Sequence, residues 1–224
     1  MTTASARVTE SVITFPTNKF FMTTASASSI SEAFLPCFIR LIFGYEMVLI
    51  TLCYTFNMKV ILYMATTING YIAKLDDDTS FISDKEWNSY SLMVRNAGCL
   101  IVGHRTYNIL TKQTGFSEFG DVKIVILSHK KFKTLSPNHF VANSPKESLV
   151  ILKDYDNIIV AGGSILNASF IKEQLIDEIY LDIEPTILGQ GIPLFDGGDF
   201  EINLDLIDIK KLSENETQLH YKII

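Results

Sequence analysis

The sequence contains little of what metal-binding and nucleic-acid-binding proteins use. Its three cysteines, Cys37, Cys53 and Cys99, form no Cys-x-x-Cys pair, and its four histidines lack the His-x-x-x-His spacing of a zinc site. No lysine- and arginine-rich block occurs, and the formal net charge of the 224 residues is −6. We therefore expect no metal and no nucleic acid as a partner, and a reduced cytoplasmic protein.

Three common nucleotide-binding and hydrolase motifs are also missing. The chain has no Gly-x-Gly-x-x-Gly followed by an acid about twenty residues later, so we expect no ordinary Rossmann dinucleotide site. It has no Gly-x-x-x-x-Gly-Lys-Ser/Thr loop for a nucleoside triphosphate. A Gly-x-Ser-x-Gly nucleophile turn does not stand out either, which argues against hydrolase chemistry.

Residues 1–57 differ in composition from the rest of the chain. The first 31 residues are rich in Ser, Thr and Ala, while 34–56 are apolar but interrupted by Arg40, Gly44 and Glu46. A membrane-spanning helix needs about 20 mostly apolar residues, and each central charge costs about 2.5–3.5 kcal/mol. We expect a poorly ordered or hydrophobic extension. An upstream start of the reading frame, a targeting segment and a membrane anchor remain open as its explanation.

Residues 58–224 alternate between strand and helix patterns. Two capping boxes, Ser83 with Glu86 and Ser144 with Glu147, predict helix starts. The final two predicted strands, 204–211 and 218–224, are joined by the polar segment SENET. The pattern predicts an α/β fold with three layers, a mostly parallel central sheet and an antiparallel C-terminal edge. The predicted earlier strands are 60–65, 99–102, 122–127, 158–161 and 178–184, and the predicted helices are 83–98, from 105 onward, 145–153 and 165–175.

Glycines stand at two predicted junctions between a strand and a helix. Gly162 and Gly163 lie in IIVAGGSILNASFI, and Gly103 lies in LIVGHRTYNIL, where Arg105 and Thr106 follow it. Ligands of such sheets bind beyond the carboxyl ends of the strands, where helix N-termini attract anions. Each junction alone is more often a simple turn, so only their combination indicates a site. A weaker third position is ILSHKK, which contains Ser128, His129 and Lys130.

Together with YMATTINGYIA, VILS and DEIYLDIEPTILGQGIPLF, these segments resemble the dihydrofolate reductase-like superfamily. The resemblance covers nearly all of 58–224. It is greatest to the branch that contains the reductase domain of the bifunctional riboflavin-biosynthesis deaminase/reductase and its stand-alone relatives. It implies a cytoplasmic, NADPH-dependent oxidoreductase of the 5-amino-6-(5-phosphoribosylamino)uracil reductase type, with a small-molecule substrate related to a pyrimidine or a pterin. A homodimer remains open.

The resemblance also implies roles for individual residues. The glycine pair would lie against the nicotinamide and pyrophosphate, often through a cis Gly–Gly peptide, and Arg105 with Ser128 or Lys130 would favour NADPH over NADH. The implied cofactor-binding residues are Ala65, Gly103, Arg105, Thr106, Ser128, Gly162, Gly163, Ser164, Ile165 and Leu166. Asn69 would line the nicotinamide and substrate cleft, and Glu86 stands near the position of the proton-donating carboxylate of folate reductases.

Two departures from the family pattern affect the predicted substrate. Asn69 replaces an aspartate of the riboflavin branch, and TKQTGFSEFG replaces an acidic stretch with a later arginine. The capping box by itself also accounts for Glu86. Dihydrofolate reductase activity, a non-catalytic nucleotide-binding module and a membrane-tethered scaffold therefore stay open as alternatives.

Overall fold

The computed structural model describes the backbone of residues 10–15, 18–23, 38–43 and 46–51, and residues 58–113, 116–130 and 132–224 in full. The chain divides into two compact units, Met1–Phe56 and Asn57–Ile224. In the first unit, β1 (Glu10–Phe15) pairs antiparallel with β2 (Asn18–Thr23), and β3 (Phe38–Phe43) with β4 (Glu46–Thr51). The rest of the predicted extension lies outside the described residues. Within the described part, no helix is long and apolar enough to cross a membrane.

The second unit alternates strands and helices as predicted. Its strands are β5 (Lys59–Thr67), β6 (Tyr71–Ala73), β7 (Cys99–Gly103), β8 (Lys123–Leu127), β9 (His139–Ala142), β10 (Asn157–Val160), β11 (Glu178–Glu184), β12 (Ile192–Pro193), β13 (Leu204–Lys211) and β14 (Thr217–Ile223). Its helices are α1 (Asp84–Ala97), α2 (His104–Gln113), α3 (Pro145–Ile151) and α4 (Ser164–Lys172), with a 3-10 turn at Ser117–Phe119.

Eight of these strands form one sheet in the order β13-β14-β11-β5-β10-β7-β8-β9. The six strands from β11 to β9 are parallel to one another. β14 pairs antiparallel with β11, and β13 pairs antiparallel with β14 and closes that edge of the sheet. The predicted fold class is therefore confirmed. The continuous apolar run of β5 predicts an interior strand, since such a strand is covered on both faces. In the structure β5 does lie inside the sheet, between β11 and β10.

Successive side chains of β5 supply two separate cores. Ile61 and Tyr63 pack under α1 and α2 on one face, and Val60 and Leu62 pack under α3 and α4 on the other. Because α2, α3 and α4 follow the parallel strands β7, β9 and β10 in the chain, their N-termini lie beyond the carboxyl ends of those strands. The small sheet of β6 and β12 and the edge strand β9 are not among the predicted strands.

Candidate functional site

A cleft of about 1010 Å³ opens beyond the carboxyl ends of β5, β7, β8 and β10. It brings together ten of the residues for which the resemblance implies a cofactor contact, together with Glu86. These residues are Ala65, Gly103, Arg105, Thr106, Ser128, Gly162, Gly163, Ser164, Ile165 and Leu166. Lys130 and Asn69 do not line the cleft. Segments that are far apart in sequence therefore converge at the place where the fold predicts a ligand.

The glycine pair connects β10 to α4 and forms part of the cleft wall. The peptide between Gly162 and Gly163 is cis, as the resemblance implies, and Gly162 has a φ of 70°, which favours glycine. The carbonyl of Gly162 accepts a hydrogen bond from the amide of Gly103 at 2.8 Å. The two glycine junctions are thus tied to each other through their backbones.

Ser164 begins α4 directly after the glycine pair. Its hydroxyl is buried and has no hydrogen-bond partner among the described residues, although a buried hydroxyl ordinarily has one. The hydroxyl and the N-terminal amides of α4 therefore offer donors at the cleft wall without a protein acceptor in the described part. A phosphate group is the kind of ligand that such a helix start accepts, so these residues fit the pyrophosphate of a dinucleotide.

Arg105 lies in the first turn of α2, where the sequence predicts a phosphate contact. Its side chain is 66% exposed and forms a two-point ion pair with Asp77, with Nε–Oδ2 at 2.8 Å and Nη2–Oδ1 at 2.7 Å. Asp77 belongs to the loop after β6 and also lines the cleft. The pairing could not be predicted from local sequence, because α1 and β7 separate the two residues in the chain. A phosphate that binds Arg105 has to compete with the Asp77 carboxylate.

Asn69 contacts another loop instead of the cleft. Its Nδ2 donates to the carbonyl of Leu188 at 2.6 Å, and its Oδ1 accepts from the Thr67 hydroxyl at 2.9 Å. Asn69 therefore connects the turn after β5 to the loop before β12 by hydrogen bonds. Ser128 lies in the cleft, where its hydroxyl accepts from the Lys130 amide at 3.1 Å.

Glu86 is buried in the cleft wall, with 4% of its surface exposed. The capping box is only half formed: Ser83 Oγ accepts from the Glu86 amide at 3.0 Å, but the Ser83 amide donates to Glu184 Oε1 at 3.0 Å. The explanation of Glu86 by the capping box is therefore wrong, because Glu184 from β11 occupies that role. No described residue forms a hydrogen bond with the Glu86 carboxyl group. Burial, reinforced by nearby acids, raises its pKa to about 9.

Three further acids, Asp182, Glu184 and Glu216, are buried on the same side of the sheet as Glu86. We call these four residues the acid cluster. The Tyr63 hydroxyl donates to Asp182 Oδ2 at 2.6 Å, and Gln218 Nε2 donates to Asp182 Oδ1 at 2.8 Å. Burial raises the pKa of both Asp182 and Glu184. Glu216 Oε2 is buried without a partner among the described residues.

The sequence did not reveal the acid cluster. The alternation in β11 predicts that Ile179, Leu181 and Ile183 form its buried face, and Ile179 is indeed buried. Asp182 and Glu184, at alternate positions of the same strand, are buried too, because α1 covers the second face of the sheet. Polar residues at alternate strand positions ordinarily indicate a solvent-facing side, so the pattern alone points the wrong way.

Helices α1 and α2 enclose one end of the cleft with mainly apolar side chains. We call this end the α1–α2 chamber and define it by the lining residues Ile82, Glu86, Trp87, Tyr90, Ile109 and Leu110. The rings of Trp87 and Tyr90 lie 5.6 Å apart, and Tyr90 lies 5.4 Å from Tyr63. An aromatic wall beside a buried carboxyl group suits a flat heterocycle. No group of three His, Cys, Asp or Glu residues in the described part could hold a metal ion.

The fold and the cleft define a domain of the dihydrofolate reductase-like class. Residues 58–217 match the model of the RibD C-terminal domain, and the chain belongs to that family. YwjB of Bacillus subtilis (strain 168), an uncharacterised protein, is 30% identical over 175 residues, which are 73% of this chain and 97% of YwjB.

Two solved structures share the fold. A protein of Shewanella sp. PV-4 with a provisional riboflavin-biosynthesis name has a TM-score of 0.65 at 19% identity, over 75% of this chain and 99% of that one. The diaminohydroxyphosphoribosylaminopyrimidine deaminase/5-amino-6-(5-phosphoribosylamino)uracil reductase of Thermotoga maritima has a TM-score of 0.57 at 17% identity. That match covers 75% of this chain and 57% of the Thermotoga protein.

Proposed function

We propose that the domain formed by 58–224 is an NADPH-dependent reductase that reduces a flat, pyrimidine- or pterin-related heterocycle. The observation that carries this function is the convergence of both glycine junctions and the buried Glu86 on one cleft. The named Thermotoga relative supports the pyrimidine class of acceptor. Family membership supports a reductase, and the departures at Asn69 and at TKQTGFSEFG leave the particular acceptor to experiment.

The two glycine junctions would hold the cofactor. Gly162 and Gly163 let a ligand approach the backbone closely, and the start of α4 at Ser164 supplies donors for the pyrophosphate. The start of α2 adds Arg105 and Thr106 for the remaining phosphate. When bound, NADPH supplies the hydride. The protein's contribution is to position the reacting atoms and to exclude water from the cleft.

Glu86 would supply the proton. Its pKa of about 9 keeps the carboxyl group protonated at pH 7, so the hydroxyl of that group can donate to the nitrogen of the C=N bond that is reduced. Hydride addition to the carbon of a C=N bond and proton addition to its nitrogen then complete a balanced reduction. A positioned acid of this kind contributes typically 10²–10⁴-fold to the rate.

The decisive experiment is an NADPH oxidation assay, followed by absorbance, on the full chain with two acceptors. These are 5-amino-6-(5-phosphoribosylamino)uracil and dihydrofolate, and Glu86→Gln is assayed in parallel. Turnover that falls at least a hundredfold in Glu86→Gln, with NADPH affinity unchanged, would support this role. Turnover of dihydrofolate alone would favour the alternative dihydrofolate reductase activity. NADPH binding without turnover of either acceptor, or of the unphosphorylated 5-amino-6-ribosylaminouracil, would favour a non-catalytic nucleotide-binding module.

A further inference from the structure

The basic side chains that line the cleft are unevenly distributed, whereas its carboxyl groups, those of Asp77, Glu86, Glu173 and Asp196, lie on several different elements. The basic residues among its described lining residues are His104 and Arg105 at the start of α2 and His129 after β8. All three therefore lie at the end where the cofactor phosphates would bind. Lys112, in the last turn of α2, is exposed and does not line the cleft.

The α1–α2 chamber has the opposite character. Within its described lining, the ionisable carboxyl group is that of Glu86, and the remaining side chains are apolar or aromatic. Glu184 accepts from the Ser83 amide at the start of α1, and Asp182 accepts from the hydroxyl of Tyr63, which also lines the cleft, so these two acids lie close behind the chamber. Among the described residues, Lys210 counteracts the raised pKa of Asp182 through its positive charge, and it lies on the exposed edge strand β13.

A phosphate group would be poorly placed in this chamber. A phosphate monoester carries a charge of about −1.5 to −2 at pH 7 and is ordinarily bound by arginine, lysine or a helix N-terminus. Like charges repel more strongly in a partly buried site than in water, because the local dielectric constant is lower. An uncharged ring meets no such repulsion and gains apolar contact with Trp87 and Tyr90.

We infer that the acceptor is a flat heterocycle without a phosphate group, and that the acid cluster discriminates against anionic acceptors. This inference rests on the proposed function and specifies the substrate class of the same site. It separates this chain from the activity named for the Thermotoga relative, whose substrate carries a phosphoribosyl group. The departure at TKQTGFSEFG agrees with it, because that segment lacks the arginine of the riboflavin branch.

The test compares 5-amino-6-ribosylaminouracil with its 5′-phosphate, and 6-methylpterin with the anionic dihydrofolate. Binding is followed through the fluorescence of Trp87, the single tryptophan of the full chain. Because Trp87 lines the chamber, the signal does not depend on turnover. We expect the uncharged member of each pair to bind at least tenfold more tightly. Equal or tighter binding of the phosphorylated member would overturn the inference.

Glu184→Gln tests the part that the acid cluster plays. The amide oxygen of glutamine can still accept from the Ser83 amide, so the start of α1 keeps its bond while one acidic group is removed. The discrimination should fall by about two- to fivefold. Glu147→Gln is the matched control, because Glu147 Oε2 accepts from the Asn143 amide at 2.8 Å before α3 and lies outside the cleft lining. Equal effects of the two substitutions would refute a role of the cluster.

A separate NADPH titration distinguishes failure of this inference from failure of the proposed reductase function. If the phosphorylated acceptor binds as tightly as the uncharged one and NADPH also binds, the inference is wrong, but the proposed reductase function stands with a different acceptor. If no acceptor changes the fluorescence of Trp87, the chamber does not take this class of ligand and the inference is wrong. If NADPH does not bind either, the proposed function fails as well.

Discussion

Gly163→Ala tests whether the glycine pair forms the cofactor site. Gly163 has a φ of −78°, which alanine adopts without strain, and a methyl group there would lie 3.4 Å from Thr106 Oγ1. That distance is an ordinary contact, so the folded domain can accommodate the methyl group. Gly162 is a poorer choice because its φ is 70° and an added carbon would lie 3.1 Å from Met64 Cε.

The expected effect is a loss of ligand-induced stabilisation rather than of folding. Without cofactor, the stability of Gly163→Ala should stay within about 1 kcal/mol of the parent. A hundredfold excess of NADPH over Kd stabilises the parent by about 2.7 kcal/mol, which corresponds to a Tm shift of roughly 5–11 °C for a domain of this size. A methyl group in space that the ligand needs costs about 1–3 kcal/mol. The remaining stabilisation is then about 0.3–1.7 kcal/mol, so at least a third of the Tm shift is lost.

The assay is a thermal unfolding series of the full chain with increasing NADPH. Gly189→Ala is the matched control, because Gly189 lies outside the cleft lining and an added carbon meets nothing within 4 Å. The control should show the full NADPH-induced shift. An unchanged shift in Gly163→Ala would remove the glycine pair from the cofactor site. The proposed reductase function would then rest on Gly103 and Arg105 alone, which is too little to support it.

Further predictions concern four ionisable groups that line the cleft, Arg105, Asp77, Glu86 and Tyr63. In fluorescence titrations, Arg105→Ala should weaken NADPH binding by about 1.5–3 kcal/mol and leave NADH binding nearly unchanged. Asp77→Asn should tighten NADPH binding by up to about 1 kcal/mol, because it frees the Arg105 guanidinium group from its ion pair. Equal losses for both cofactors in Arg105→Ala would contradict a contact with the extra phosphate. Glu86 holds a proton in the folded state up to about pH 9, although the unfolded chain releases it near pH 4.5, so its contribution to stability is lost as pH rises between these values. The Tm of Glu86→Gln relative to the parent should therefore rise from pH 5 to pH 9, and a constant difference would exclude the raised pKa. Tyr63→Phe should lower the free energy of unfolding in urea by about 1–3 kcal/mol at pH 7, because Asp182 loses its 2.6 Å donor, and an unchanged midpoint would show that this bond contributes nothing.

The fold could be predicted where one strand or helix carries its own signal. Continuous apolar runs identified β5, β7, β8 and β10, and the capping serines located the starts of α1 and α3. β9 was missed because its four residues, HFVA, are too few to show a period, and it forms only by pairing with β8. β6 and β12 were missed for the same reason, since their pairing depends on contact between distant loops.

The two glycine junctions of the cleft could be predicted because the glycines stand where a strand ends and a helix begins, and that pattern is local. Asp77 and the acid cluster were not predictable in the same way. The partner of Arg105 lies 28 positions earlier in the chain, and the bond that takes Glu184 to Ser83 spans 101 positions. Local sequence cannot show such contacts. The capping bond to the Ser83 amide was therefore assigned to Glu86, whereas Glu184 from β11 makes it.

The hydrogen bonds of the acid cluster decide which of its protons a ligand can use. Burying several carboxyl groups together is costly unless they are neutral or receive hydrogen bonds. Asp182 receives bonds from Tyr63 and Gln218, and Glu184 receives one from the Ser83 amide, so both have donors that stabilise their charged forms. Glu86 has no such donor among the described residues, and it is the cluster member that lines the cleft. Neutralisation by a proton is therefore the remaining way to lower its cost, and a bound acceptor in the chamber would meet that proton directly.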